Sequence, residues 1–190
     1  RRDHKIRVAS ISKLVVALGI MRLVEASRLD LDADVSDYLG WTLRNPAFPA
    51  QAITARQLLA HTSSIRDAER YFIPAGRGAL RDFFDPGSAR WDQGRHFATG
   101  GHEAPGRFFT YSNLNFGVLG ELIERLSGQR FDRYMTAQIL APMGLTASFN
   151  PCDVGTARLA TAFRKRNGAG AWNAAGPWVA QVDGAPLTCF

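Results

Sequence analysis

The sequence is poor in the residues that staple a protein or thread it through a bilayer. Only two of its 190 residues are cysteine, Cys152 and Cys189, too few for a disulfide framework and without metal-ligand spacing, so no metal site is expected. They admit either two free thiols or one disulfide. Long apolar runs are missing too. The longest, residues 14–21, is interrupted by Gly19 and falls far short of the roughly 20 residues that cross a bilayer as a helix, so no transmembrane segment is expected. Lysine is scarce. Only Lys5, Lys13 and Lys165 are found among 23 basic residues, and the arginines that make up the rest are interleaved with 17 acids. A net charge of +6 scattered in this way lacks the stripe that tracks a phosphate backbone, which argues against a nucleic-acid partner. There is no internal repeat, low-complexity tract or signal peptide. The last absence has no weight in a chain that opens on Arg1 rather than Met.

What is present is a globular composition, 46% hydrophobic and 21% charged in 20.9 kDa. That is enough for a sizeable core and is unlike a disordered, collagenous or disulfide-stapled chain. No linker divides it, so residues 1–190 read as a single domain. Ile11, Leu14, Val15, Leu18, Met21, Leu23 and Val24 recur at helical spacing and predict a largely buried helix over residues 10–27. Asp30, Asp32 and Asp34 invite a calcium-loop reading, but Val35 and Trp41 stand where such a loop needs Gly and Glu. A polar connection into a short helix over residues 35–39 is the better expectation. Thr54 is placed to cap a helix through Ala60 that turns Leu58 and Leu59 inward. Residues 66–107 are rich in Gly, Pro, Arg and aromatics and read as a long irregular wall or lid, with a short helix over 78–84. Two more helices are predicted, over 114–127 with Gly128 as its stop and over 131–140 ending at Pro142. The pattern then turns to strand over 163–166, with Asn167-Gly168 as a turn and Trp172 beyond it.

Two short motifs carry chemistry. Ser10 and Lys13 lie three residues apart at a helix start, so the hydroxyl and the ammonium share one face. A serine must lose its proton to attack a carbonyl, and an amine whose pKa is depressed by burial can accept that proton. The helix N-terminus adds backbone N–H groups that favour an oxyanion. Ten serines and three lysines produce this spacing by chance in roughly one such chain in six. The bland alternative is a capping serine before a solvated lysine, but apolar residues follow Lys13 at once. Tyr111-Ser112-Asn113 stands at the start of the second long helix and offers a phenol as proton carrier and an amide for a substrate carbonyl. Its bland alternative is a core tyrosine beside a helix cap. Both motifs at helix starts are harder to attribute to chance than either alone.

With these residues in view, the chain resembles the penicillin-recognising serine hydrolases. The closest branch contains the class C β-lactamases, the D-alanyl-D-alanine carboxypeptidases and related esterases, where Tyr-x-Asn replaces the Ser-Asp-Asn of class A. Arg7-Val8-Ala9, Leu58-Leu59-Ala60-His61-Thr62-Ser63 and Leu140-Ala141-Pro142-Met143-Gly144-Leu145 agree with that branch, and the likeness runs from Ile6 to about Gln181. The resemblance implies an α+β fold of the β-lactamase/DD-peptidase type. This chain would hold mostly the helical part with a few strands, and its central antiparallel sheet would be incomplete. Ser10 would be the acylated nucleophile and Lys13 its proton acceptor or relay. Tyr111 would share that activation and protonate the leaving group, and Asn113 would orient the substrate. Either Lys13 or Tyr111 can be the base on the residues alone. The backbone N–H of Ser10 would form half of an oxyanion hole.

A small-molecule or peptide substrate is implied, attacked at an amide, ester or β-lactam carbonyl, with no cofactor. The implied location is periplasmic or cell envelope. Two departures stand out: Ser64 replaces the usual Gly after His-Thr-Ser, and the third family motif, Lys or His followed by a small residue and Gly, is missing. Lys165, in Lys165-Arg166-Asn167-Gly168, is the only lysine after Tyr111. A non-catalytic or truncated ligand-binding relative is therefore the alternative. His61 reads as structural, and His96 and His102 lack partners at zinc spacing. Trp91, Phe97, Phe108 and Phe109 are candidates either for a cleft wall or for core. An incomplete sheet would leave apolar helix faces uncovered, so poor solubility of the isolated chain is expected.

Overall fold

The computed structural model describes residues 4–71, 73, 77–154, 159–161, 163–165 and 174–180. A 3₁₀ turn, Ala9–Ile11, leads into helix α1, Ser12–Glu25. Two short helices follow, α2 (Ser36–Leu39) and α3 (Ala55–Leu59). After the irregular segment come α4 (Asn113–Ser127) and α5 (Phe131–Met135), and the latter continues as a π turn, Thr136–Leu140. Strands β1 (Phe163–Lys165) and β2 (Trp178–Ala180) form one antiparallel pair in which Phe163 faces Ala180.

Helix α4 is the centre of the described fold and packs against α1, α2, α3 and α5. Leu114, Val118, Leu119, Leu122 and Ile123 form its buried face, the i, i+4 stripe a helix must cover to be stable. Gly128 follows in the left-handed conformation with φ 69°, which closes the helix where the sequence predicts. Helix α3 is bounded by a reciprocal cap. Gln57 N–H donates to Thr54 Oγ1, and Thr54 N–H donates to Gln57 Oε1. The entry to α2 is held by Asp34, whose Oδ1 accepts from Ser36 N–H. The Asp-rich stretch is engaged by arginines, with Arg56 forking onto Asp32 and Arg44 onto Asp34. Residues 66–107 are irregular as expected, apart from single 3₁₀ turns such as Leu80–Phe83.

Two expectations need correction. The strand paired with Phe163–Lys165 is Trp178–Ala180, so pairing does not follow directly from an Asn167-Gly168 hairpin. A two-residue turn would pair β1 with the residues immediately after it, and the separation to Trp178 is too long for that. Residues 167, 168 and 172, like Cys189, lie outside the described residues. The second correction concerns α1. Its buried residues are Val16, Gly19, Ile20 and Leu23, whereas Ile11, Leu14, Leu18 and Met21 are exposed, Leu14 to 67%. The helix is apolar on nearly every face, so periodicity could not choose the covered one. The choice is made where α5 meets α1. A Cβ on Gly19 would lie 2.6 Å from Met135 Sδ, so only glycine allows this approach without displacing Met135.

The turn after α3 explains the Ser64 departure. Ser64 is buried with φ 67°, a left-handed conformation that suits glycine. Its hydroxyl accepts from the buried amide of Asn45 at 3.0 Å, which offsets the conformational cost. Ser64→Ala is expected to destabilise by about 1–2 kcal/mol in urea melts, because the strain remains and an acceptor is lost. Ser64→Gly exchanges one effect for the other and should stay within about 1 kcal/mol of the unaltered chain.

The uncovered stripe on α1 has a solution consequence. The chain should bind an apolar reporter dye and self-associate on a sizing column. Leu14→Lys combined with Leu18→Lys should weaken both effects while moving the thermal midpoint by less than about 4 °C. A dye-silent monomer before substitution would contradict this.

Candidate active site

The N-terminal ends of α1 and α4 meet, and both sequence motifs come together there. Tyr111 O–H donates to Ser10 Oγ at 2.7 Å, and Lys13 Nζ donates to the same oxygen at 3.2 Å. Lys13 Nζ also donates to Asn113 Oδ1 at 2.7 Å and stands 4.8 Å from the centre of the Tyr111 ring. All four site residues expected from sequence therefore form one hydrogen-bonded group. The order of the links is Tyr111, Ser10, Lys13, Asn113. Ser10 is exposed and Lys13 half-buried, an arrangement open to a substrate on one side. Hydrogen bonding from Lys13, and then from Ser10, holds the Tyr111 phenol below the usual tyrosine range, because a nearby cation and donors stabilise the phenolate.

Local sequence explains how the parts reach this place. The 3₁₀ turn at Ala9–Ile11 leads directly into α1, which sets Ser10 and Lys13 on adjoining turns of one face. At α4, Ser112 adopts the extended backbone of a cap, yet its own side chain makes no capping hydrogen bond. A residue that sequence reasoning missed takes that part. Asp67 accepts from Ser112 O–H (2.8 Å), from the backbone N–H groups of Asn113 (2.8 Å) and Leu114 (3.0 Å), and from Asn113 Nδ2 (2.7 Å). A carboxylate at a helix N-terminus is favourable electrostatically. Asp67 is more than 40 positions from this helix in sequence, so no local capping pattern could reveal it. The one available signal is its place just after the His61-Thr62-Ser63 landmark.

His61 supports the tyrosine from below. It is buried, its ring lies 4.5 Å from that of Tyr111, and its Nδ1 accepts the backbone N–H of Ser112 at 3.2 Å. Burial, and then the charge of Lys13, lower its pKa, consistent with a neutral ring whose Nδ1 is an acceptor. Among the aromatic wall candidates, Phe97 is buried and packs on Phe84 and Trp91 as core. Phe108 and Phe109 are exposed. His96 is fully buried, and His102 meets the Phe108 ring edge-on. Lys165 donates to Ala174 O and lies over the Trp178 ring.

This geometry agrees with comparisons to known proteins. The family model described as Beta-lactamase matches residues 1–185. The chain belongs to the beta-lactamase family. Within that family it is 31% identical over 144 residues to Protein flp of Staphylococcus aureus (strain N315), covering 75% of this chain and 27% of that protein. Identity is also 31%, over 148 residues, to Penicillin-binding protein 4 of Amycolatopsis lactamdurans, covering 77% and 36% respectively. Among solved structures, EstCE1, a hydrolase with promiscuous acyltransferase activity, is 27% identical with a TM-score of 0.65, covering 95% of this chain and 46% of that one. The chain thus spans 27% to 36% of the length of these curated relatives. The β-lactamase-like fold is shared with these relatives over most of its residues. Among the described residues, no helix is long and apolar enough to cross a membrane.

The lowered phenol is directly measurable. Subtracting the ultraviolet pH titration of a Tyr111→Phe variant from that of the unaltered chain should show Tyr111 ionising below the ordinary value of about 10. Lys13→Met should move that transition upward, and an identical midpoint in both backgrounds would contradict the assigned cause.

Proposed function

We propose that this chain carries the nucleophile half of a serine hydrolase site that works through an acyl-enzyme on Ser10. The observation that carries the reading is the convergence of Tyr111 O–H and Lys13 Nζ on one exposed hydroxyl. Tyr111, held low by Lys13, supplies a phenolate that takes the Ser10 proton as Oγ attacks a carbonyl carbon. The C–O bond to Ser10 forms, and the carbonyl oxygen takes the negative charge against the backbone N–H of Ser10. Collapse of this adduct breaks the bond to the leaving group, which receives the proton from Tyr111. Water then releases the acyl group by the same steps in reverse. Lys13 holds its N–H groups toward Ser10 and Asn113 throughout, which favours Tyr111 over Lys13 as the base. Asn113 keeps one amide proton, beyond the one given to Asp67, for a substrate carbonyl.

The substrate class is a small molecule or peptide with an amide, ester or β-lactam carbonyl. Kinship with penicillin-binding proteins supports a place in the periplasm or cell envelope, and no cofactor enters the scheme. One observation favours the second reading, a ligand-binding relative without turnover. Lys165 is committed to Ala174 and Trp178 rather than standing in a Lys-small-Gly motif.

Treatment with a fluorophosphonate or a fluorescent penicillin, followed by mass mapping, separates the two. The expected adduct is on Ser10 alone and disappears in Ser10→Ala. Tyr111→Phe and Lys13→Ala should each slow labelling by at least about a hundredfold. Saturable penicillin binding with no adduct would support the binding relative instead.

A further inference from the structure

Asp67 does more than cap a helix. Asn113 has a two-ended amide, and the two ends are chemically opposite: Oδ1 accepts and Nδ2 donates. Turned one way, it offers Lys13 an acceptor. Turned the other way, it sets N–H against N–H. Lys13 alone prefers the first state, but Asn113 begins α4, where nothing in its own helix dictates the choice. The Oδ2 atom of Asp67 accepts from both the Nδ2 and the backbone N–H of Asn113, at 2.7 and 2.8 Å. An acceptor-only group there permits one orientation, with Oδ1 directed at Lys13 Nζ.

The carboxylate is itself fixed. On one side of it Arg66 N–H donates to the backbone oxygen of His96 at 2.9 Å. On the other, Ala68 N–H meets Nδ1 of the same residue at 3.4 Å. His96 is fully buried. Arg66 Nη2 is held by Glu103 Oε1 at 2.6 Å. Residues 66–68 are therefore clamped at both ends before any substrate arrives, which is what preorganisation of a site requires.

Resting on the hydrolase reading above, we infer that Asp67 is a positioning residue that sets the Asn113 amide and, through Asn113, aims the ammonium of Lys13 at Ser10. Asp67 touches neither substrate nor the reacting atoms. Its influence travels along two hydrogen bonds, Asp67 to Asn113 and Asn113 to Lys13, before it reaches the nucleophile.

The test is an exchange of donor and acceptor. In Asp67→Asn the new side chain keeps one oxygen for the backbone N–H groups, so the helix cap largely survives, but its NH₂ group opposes that of Asn113. Fluorophosphonate labelling of Ser10 in this variant should lose at least about tenfold in the maximal rate, with half-saturation changed less than about twofold. Asn113→Asp alone sets two carboxylates face to face. The double variant, Asp67→Asn with Asn113→Asp, restores a donor–acceptor pair and an oxygen toward Lys13, and should label faster than Asn113→Asp alone. Labelling of Asp67→Asn at the unaltered rate, or a double variant as slow as the product of the two single effects, overturns the inference.

The side-chain amide of Asn113 gives a second readout that is independent of turnover. In ¹⁵N-resolved spectra its NH₂ resonances should shift in Asp67→Asn while the backbone amides of residues 116–126 keep their positions. Unmoved NH₂ resonances count against Asp67 whether or not Ser10 labels. An unaltered chain that fails to label while its NH₂ shifts in Asp67→Asn removes the hydrolase reading and leaves the positioning of Asn113 standing.

Discussion

A single hydrogen bond from Lys13 Nζ to Asn113 Oδ1 joins the N-terminal ends of the two long helices, across 100 residues of sequence. Everything that makes the site a unit depends on it. Without it, Ser10 and Lys13 would be a pair on one helix, and Tyr111 and Asn113 a separate pair beside another. Two helix N-termini bring two positive dipole ends together, and Lys13 adds a full positive charge between them. Such a junction is tolerable because Asp67 stands at the start of α4 as a compensating carboxylate, and because α1 and α4 are pressed together by Ile20, Leu23, Leu119 and Ile123 in the core. Packing sets the distance between the helices, and the hydrogen bonds decide what that distance is used for.

The concentration of positive potential also explains the chemistry. A phenol beside an ammonium loses its proton more readily than a phenol in water, and Tyr111 lies 4.8 Å from that ammonium with its oxygen already on Ser10. His61 keeps the ring in place through stacking and through the Ser112 backbone. It does so as a neutral acceptor, which adds no further cation to a crowded site. The surrounding scaffold is therefore electrostatically selective: the carboxylate is placed at the helix end and the neutral imidazole beneath the phenol.

Most of the helices were legible in the sequence because their signals are local. Thr54 and Gln57 form a cap within one turn, Gly128 stops a helix that Leu114 to Ile123 had already patterned, and Ser10 and Lys13 are neighbours by helical geometry alone. What was not legible depends on partners far away in sequence. Periodicity along α1 marks a helix but cannot say that Val16 and Ile20 are covered while Leu14 and Leu18 are not, since all four are apolar. The pairing of Phe163–Lys165 with Trp178–Ala180 likewise follows from long-range register, where the local Asn167-Gly168 signal pointed to a nearer partner.

The sequence by itself determined the helix boundaries, the residue types able to carry acyl transfer, and through two short motifs the family to which the chain belongs. Each of these is written within a few consecutive residues, where backbone propensity and side-chain spacing act directly. Tertiary structure alone decided that the two motifs share one hydroxyl, which face of α1 is buried, and that a carboxylate from an irregular loop orients the Asn113 amide. Those outcomes rest on contacts between segments 40 to 100 positions apart. The closure of such loops is governed by the packing of the whole core rather than by any residue's own preference.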